Sequence, residues 1–341
     1  MKIVEEPITS QPKMAGLQNM QSKLQAIGSI RHGDERSLNA ECCPSCGESG
    51  AANLLQAPDR YNGRREMYQL VRCPACALVW LQNPPPSGEM SQHYGPDYDR
   101  SVAAAGADPN RWRGRRDTLL RHKSSGAILD LGCSSGGFLE SMKSPLWKLY
   151  GIEMSDEVAS EAEAKTGAEV FVGDILDAPY PSESFDAITC FHVFEHLYKP
   201  REVLEKVSKW LKPGGIFYAN MPSIDSAGAR IFKSYWYALE LPRHLYHFSP
   251  KSLRKLAESV DLSEVSLTAE REVFIEASTR YWIDGMARKM GMLRQPLAKA
   301  LPPSIPFRVV RKAFRLTILP VLNGLASVAG GGESIHAIFR K

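Results

Sequence analysis

From Ala127 to Asn220 the chain alternates between short apolar runs and amphipathic stretches. Ala127–Leu131 reads as a strand ending in a turn of small residues, and Trp147–Met154 as a second strand followed by a helix of sequence DEVASEAEAK. Glu169–Val172 is a short third strand and Phe185–Phe191 a fourth. Glu202–Leu211 has the apolar spacing of an amphipathic helix, and Lys212-Pro-Gly-Gly turns it into a fifth strand, Ile216–Asn220. Ser249 stands as N-cap before Pro250 at the first helical position, and Leu262–Leu267 alternates like a strand. Strands alternating with helices predict an α/β fold with a mostly parallel sheet covered on both faces.

The pattern changes downstream. Glu272 to about Ala329 has helical character and many basic residues, after which Gly330–Gly332 leads into a final strand, Ser334–Phe339. A strand so late predicts a helical insertion at about 272–329 before the sheet is completed. Within it Arg308, Arg311, Lys312 and Arg315 share one helical face, beside an apolar stripe of Phe307, Val310, Phe314 and Ile318. Leu316–Ala329 is too short, and too interrupted by Pro320 and Asn323, to span a bilayer. The segment 306–329 therefore reads either as a helix packed over the sheet domain or as a peripheral contact with an anionic membrane.

At the other end, residues 1–40 lack sustained periodicity and are expected to be a flexible tail. Residues 41–82 hold two cysteine clusters. Residues 83–114 contain three consecutive prolines, Pro84–Pro86, and read as a linker that docks through Tyr94 and Tyr98. The sheet domain is then 115–341. Composition is that of an ordinary globular protein, 43% hydrophobic and 23% charged, and a formal charge of +4 over 341 residues does not demand a nucleic-acid partner. The opening MKIVEEPITSQPKM has early acids and no apolar segment, so a cytoplasmic protein is expected, with the inner membrane surface as its candidate peripheral site.

Cys43-x₂-Cys46 and Cys73-x₂-Cys76, separated by 26 residues, form two knuckles able to place four thiolates around a structural zinc. Pro44, Gly47 and Pro74 suit the tight turns that this requires. A closed four-cysteine set leaves no open position for water, so catalysis by that metal is not expected. Arg60, Arg64, Arg65 and Arg72, with Tyr61 and Tyr68, lie between the clusters and leave nucleic-acid contact as a competing reading.

The sequence Ile128-Leu-Asp-Leu-Gly-Cys-Ser-Ser-Gly-Gly-Phe138 ends a strand at Asp130 and turns into a helix through Gly132, Ser134 and Gly136. Small residues there allow close approach of a ligand to the backbone at a helix start. Glu153, followed by Met154, stands at the end of the second strand, where a carboxylate can accept hydrogen bonds from ribose hydroxyls. Asp174, followed by Ile175, comes just after the third strand, where it can meet an adenine amino group. Each acid alone reads equally well as a solvated loop carboxylate; together, at successive strand ends, they define a nucleotide-type site.

Asp130-Leu-Gly-Cys-Ser-Ser-Gly, Gly151-Ile-Glu-Met-Ser, Gly173-Asp-Ile, Phe185-Asp-Ala-Ile, Val193-Phe-Glu-His-Leu and Leu211-Lys-Pro-Gly-Gly resemble the ordered motifs of class I S-adenosylmethionine-dependent methyltransferases, over roughly residues 115–270. The resemblance implies a Rossmann-like seven-stranded sheet whose last strand runs antiparallel. It implies that Asp130 orients the turn and faces the methionine end of the donor, and that Phe191 and His192 line the pocket. Ser134 departs from the glycine common at its position. The cysteine region, Arg72-Cys-Pro-Ala-Cys-Ala-Leu-Val-Trp, resembles a ribbon fused to methyltransferases of small-molecule and sugar pathways, where it braces the acceptor side.

Methyl transfer needs alignment of donor and acceptor, and a hydroxyl acceptor also benefits from a base. The candidates lie in Leu241-Pro-Arg-His-Leu-Tyr-His-Phe-Ser, with its two histidines His244 and His247, and in Glu195-His196, which reads either as a packing pair or as direct chemistry. The leading expectation is O-methylation of a small metabolite, sugar or lipid-linked saccharide. The competing readings are a zinc-ribbon protein that binds or modifies nucleic acid, and a nicotinamide-dependent oxidoreductase.

Overall fold

A computed structural model describes residues 42–94, 109–270, 274–289, 317 and 332–341. The expected tail, residues 1–40, and the basic face of Arg308, Arg311, Lys312 and Arg315 lie outside the described residues. The N-terminal sheet is antiparallel: β1 (Ala52–Pro58) pairs with β2 (Met67–Arg72), and β2 with β3 (Val79–Leu81).

A helix, α1 (Pro109–Leu120), crosses the position at which the linker was expected to end. It leads into β4 (Gly126–Leu131), α2 (Gly137–Ser141), β5 (Trp147–Glu153), α3 (Asp156–Thr166) and β6 (Glu169–Val172). Then come β7 (Phe185–Phe191), α4 (Pro200–Trp210), β8 (Leu211–Pro222) and α5 (Ala227–Phe232). The chain continues through a two-residue β9 (Tyr246–His247), α6 (Pro250–Glu258), β10 (Ser263–Glu270), α7 (Phe274–Lys289) and β11 (Ser334–Arg340).

The large sheet has seven strands in the order β10-β11-β8-β7-β4-β5-β6. Strands β4 to β8 pair in parallel, and β11 runs antiparallel to both β8 and β10, as the resemblance implied. Connections run outward from β4 to β6 on one side and from β7 to β8 on the other. The order therefore reverses between β4 and β7, which is where an open α/β sheet leaves a crevice at its strand ends.

Local chemistry explains the helices that cover it. Helix α4 buries Val203, Leu204, Val207 and Trp210, one stripe at helical spacing. Helix α6 opens with a reciprocal cap in which Ser249 and Ser252 bond each other's backbone amides, worth about 1 kcal/mol against alanine. The segment Lys212-Pro-Gly-Gly does not precede a strand but interrupts one. Phe185 pairs with Leu211 and Ala187 with Ile216, so the extra residues bulge from β8. Gly214 takes φ +71° there, and the Lys212 ammonium donates to Asp186 at 2.6 Å.

The two sheets are joined by backbone. β9 pairs with β3, placing Val79 opposite His247 and Trp80 opposite Tyr246, and the Leu81 amide donates to the Leu245 carbonyl at 2.9 Å. The ribbon thus takes its fourth strand from the histidine-rich segment far downstream. No helix among the described residues is long and apolar enough to cross a membrane.

Candidate functional site

The small-residue turn lies between β4 and α2, with positive φ at Gly132 (+67°), Ser134 (+49°) and Gly136 (+75°). The reason for glycine is packing against protein. A Cβ on Gly132 would stand 2.5 Å from Val193 Cγ2, and one on Gly136 would press on Ala162 and Thr166 of α3. Ser134 keeps the left-handed backbone without glycine because its amide donates to Glu153 Oε2 at 3.1 Å. Glu153 Oε1 accepts from the Ser155 amide at 3.0 Å, and the Gly173 amide donates to the Glu153 carbonyl at 2.9 Å. One carboxylate therefore ties the ends of β4 and β5 together, and its backbone carbonyl ties in β6. Each of its oxygens accepts one such bond, leaving lone pairs for ribose hydroxyls.

Asp174 caps the short turn Ile175–Asp177, its Oδ1 accepting from the Leu176 amide at 2.7 Å. Ile175 is buried while Met154 remains half exposed beside the strand ends. Asp130 is buried at the end of β4, where Thr189 donates its hydroxyl to Oδ1 at 2.6 Å. Burial pushes its carboxyl up to about 7, opposed by the Thr189 bond and the Arg115 charge. Such a carboxyl favours a cationic ligand.

Across the crevice, Phe191 packs edge-on against Phe138 and Tyr218. His192, with φ +57°, turns the chain out of β7. Arg115 is a residue that sequence reasoning missed. It lies over the rings of Trp112 and Phe191, donates to Asn220 Oδ1 at 2.6 Å, and stands 3.3 Å from His192 Nε2. It sits in a helix over the expected linker boundary, and no local spacing marked it.

The three candidate histidines form a row, His244 and His247 buried and His196 partly so. Ring centroids of His196 and His244 lie 4.6 Å apart, and those of His244 and His247 6.2 Å. His196 Nδ1 is 3.1 Å from the Arg243 carbonyl and 3.2 Å from the Tyr94 hydroxyl. His244 Nδ1 donates to the Ala238 carbonyl at 2.8 Å. Burial lowers His196 to about 4, His247 to about 3 and His244 well below its ordinary value, so all three are neutral at pH 7. Arg243 is buried in an ion pair with Glu240 at 2.7 Å and lies 4.0 Å over the Tyr61 ring of the ribbon. His247 differs from the other two: its backbone belongs to β9, and its place is between ribbon and sheet domain.

The four cysteines come together. Sγ of Cys43 and Cys76 are 3.5 Å apart and those of Cys46 and Cys73 3.6 Å, too far for disulfides. Thiolates held at about 2.3 Å by a tetrahedral zinc are separated by roughly 3.8 Å, so the set fits that ion. The hydrogen bond between Cys43 and Cys76 drives their ionisation apart, Cys43 upward and Cys76 down to about 5.

Residues 104–267 match the family model described as a methyltransferase domain. The seven-stranded sheet with acids at its strand ends is thus similar to a methyltransferase domain over that stretch, and it is preceded by four cysteines whose sulfurs lie together. The ubiquinone biosynthesis O-methyltransferase of Paraburkholderia phymatum is 28% identical over 153 residues, covering 42% of this chain and 62% of that protein. The protein of the same name from Hydrogenovibrio crunogenus is 26% identical over 197 residues, with coverages of 56% and 69%. The match thus spans about three fifths of the first relative's length. A crystal structure of an S-adenosylmethionine-dependent methyltransferase from Archaeoglobus fulgidus aligns with 69% of this chain and 95% of its own, at 18% identity and a TM-score of 0.46.

Proposed function

We propose that this chain transfers the methyl group of S-adenosylmethionine to a hydroxyl of a small metabolite, its ribbon held together by zinc on Cys43, Cys46, Cys73 and Cys76. The observation that carries the reading is the junction of three neighbouring parallel strand ends. Glu153 bonds the turn after β4, its own carbonyl receives the amide after β6, and Asp130 and Asp174 flank it. When bound, the donor supplies a methyl on positively charged sulfur, open to in-line displacement.

The chain's own groups have separable tasks. Glu153 accepts the ribose hydroxyls, Asp174 and Ile175 meet the adenine, and Met154 flanks it. Gly132, Ser134 and Gly136 shape the turn, and Asp130 attracts the cationic methionine end. Phe191 and His192 wall the pocket at the end of β7. The neutral pair His196 and His244 activates the acceptor oxygen, with His247 holding their segment to the ribbon. Alignment of this kind can supply about 7–11 kcal/mol of the barrier.

The relatives named for O-methylation support a hydroxyl acceptor, and the aromatic surroundings of Arg243 suit a compact one. Sugars and lipid-linked saccharides belong in the screen, and sedimentation with anionic vesicles tests membrane contact through 306–329. The decisive experiment compares thermal protection by S-adenosylhomocysteine, NAD and oligonucleotides. It is followed by mass spectrometry of a metabolite extract incubated with the protein and isotopically labelled methyl donor. Protection by S-adenosylhomocysteine alone and a labelled methyl ether support the reading. Protection by NAD or nucleic acid instead overturns it.

A further inference from the structure

Glu195 poses a physical problem. Its side chain is 2% exposed, and neither carboxylate oxygen has a hydrogen-bond partner. The ring of His192 stands close by, with Nδ1 3.6 Å from Oε1, beyond hydrogen-bond reach. An ionised carboxylate so placed costs several kcal/mol unless something compensates it. The main-chain carbonyl of Glu195, by contrast, is satisfied by the Leu245 amide at 2.9 Å, so the backbone that presents the side chain is fixed.

Two imidazoles converge on the same place. One ligand atom each from Glu195, His196 and His244 lies within 4.8 Å of the others. A carbonyl oxygen can only accept, so the contacts to the Arg243 and Ala238 carbonyls place the proton of each ring on Nδ1. Nε2 of both rings is left with its lone pair. Imidazole that ligates a metal nearly always donates its other N–H to a carbonyl or carboxylate, and here both such partners are in place. Glu240 Oε2 stands at the rim, 3.7 Å from His244 Nε2 and held at 2.7 Å by Arg243.

We propose that Glu195, His196 and His244 form a second metal site, binding one first-row divalent cation through a carboxylate and two Nε2 atoms. Two imidazoles with one carboxylate are a ligand set for zinc, iron or cobalt that leaves coordination positions open. It differs in kind from the closed four-thiolate site. Bonds of about 2.1 Å require the ligand atoms to draw in by roughly an ångström, a matter of side-chain rotation. His192, three residues before Glu195, follows the end of β7 at the crevice. The cation therefore stands where an acceptor oxygen would arrive, and a bound hydroxyl would lose its proton more readily. This deepens the proposed function for the acceptor, but cation binding itself does not depend on it.

The test is titration of the full-length, zinc-loaded protein with cobalt(II), followed calorimetrically and by visible absorption. The expected result is one further equivalent bound, without the thiolate charge-transfer band that cobalt shows at the four cysteines. Glu195→Gln and His244→Gln should each weaken it by more than the ~10–100-fold typical of losing an outer partner. In case those variants do not fold, ¹⁵N-histidine spectra of the unmodified protein give a second reading: zinc or cobalt must perturb Nε2 of His196 and His244. Absence of a second equivalent, unchanged affinity in folded variants, or unmoved Nε2 resonances overturns the site. Donor binding, measured separately with S-adenosylhomocysteine, tells its failure apart from failure of the methyltransferase reading.

Discussion

Replacing Gly132 with alanine separates backbone strain from steric contact in the donor turn. At φ +67° an L-residue costs about 1–2 kcal/mol relative to glycine. The added Cβ would lie 2.5 Å from Val193 Cγ2, well inside the roughly 3.5–4.0 Å of ordinary carbon contact, and overpacking of this kind costs about 1–3 kcal/mol. G132A should therefore destabilise the protein by about 2–5 kcal/mol. Val193→Ala removes both methyls that the new Cβ meets. The double variant should recover the steric part and leave only the strain, giving a coupling of about 1–3 kcal/mol. Urea unfolding of the four proteins measures the cycle, and calorimetry with S-adenosylhomocysteine follows the turn's shape. Additivity within ~0.5 kcal/mol would show that Val193 does not press on the turn and would refute the reasoning.

Other consequences can be checked independently. Asp130 has a folded value of about 7, above its ordinary 3.8, so the folded state holds the extra proton between those values. Stability should fall as pH rises through that window and level off above it; Asp130→Asn should flatten the profile in urea titrations. Donor affinity should fall by up to tenfold per pH unit below about 7, because the neutral carboxyl no longer attracts a cation. Removing zinc from zinc-loaded protein with a chelator should speed hydrogen exchange at Val79–Leu81 and also at Tyr246 and His247, because β9 pairs with β3; protection kept at β9 would contradict this. Arg115→Met should loosen Asn220 and Phe191 and weaken donor binding about 10-fold, the loss of one charged hydrogen bond, read by calorimetry.

The strands of the sheet were legible because their periodicity is simple: Phe185–Phe191 is one strand buried at every position but Asp186, and Ser249-Pro250 opens a helix as capping chemistry requires. The acids at strand ends were legible because a parallel sheet turns sequence order into neighbouring edges. The reason for glycine at 132 and 136 was not, since the atoms that exclude a side chain belong to Val193 and to Ala162 and Thr166, distant in sequence. Nor could spacing reveal that Tyr246 and His247 complete the ribbon's sheet. Two residues are too few to carry a strand pattern, and their partner lies some 165 positions upstream. Arg115 and the isolation of the Glu195 carboxylate are likewise properties of packing.

The central claim is that Glu153 joins the strand ends into a site for S-adenosylmethionine, and calorimetric titration of full-length protein with that donor and with S-adenosylhomocysteine tests it most directly. Saturable binding of one molecule per chain is expected, weakened roughly 10- to 100-fold by Glu153→Gln as charge-assisted hydrogen bonds are lost. No binding of either compound, or equal binding by the glutamine variant, would contradict it.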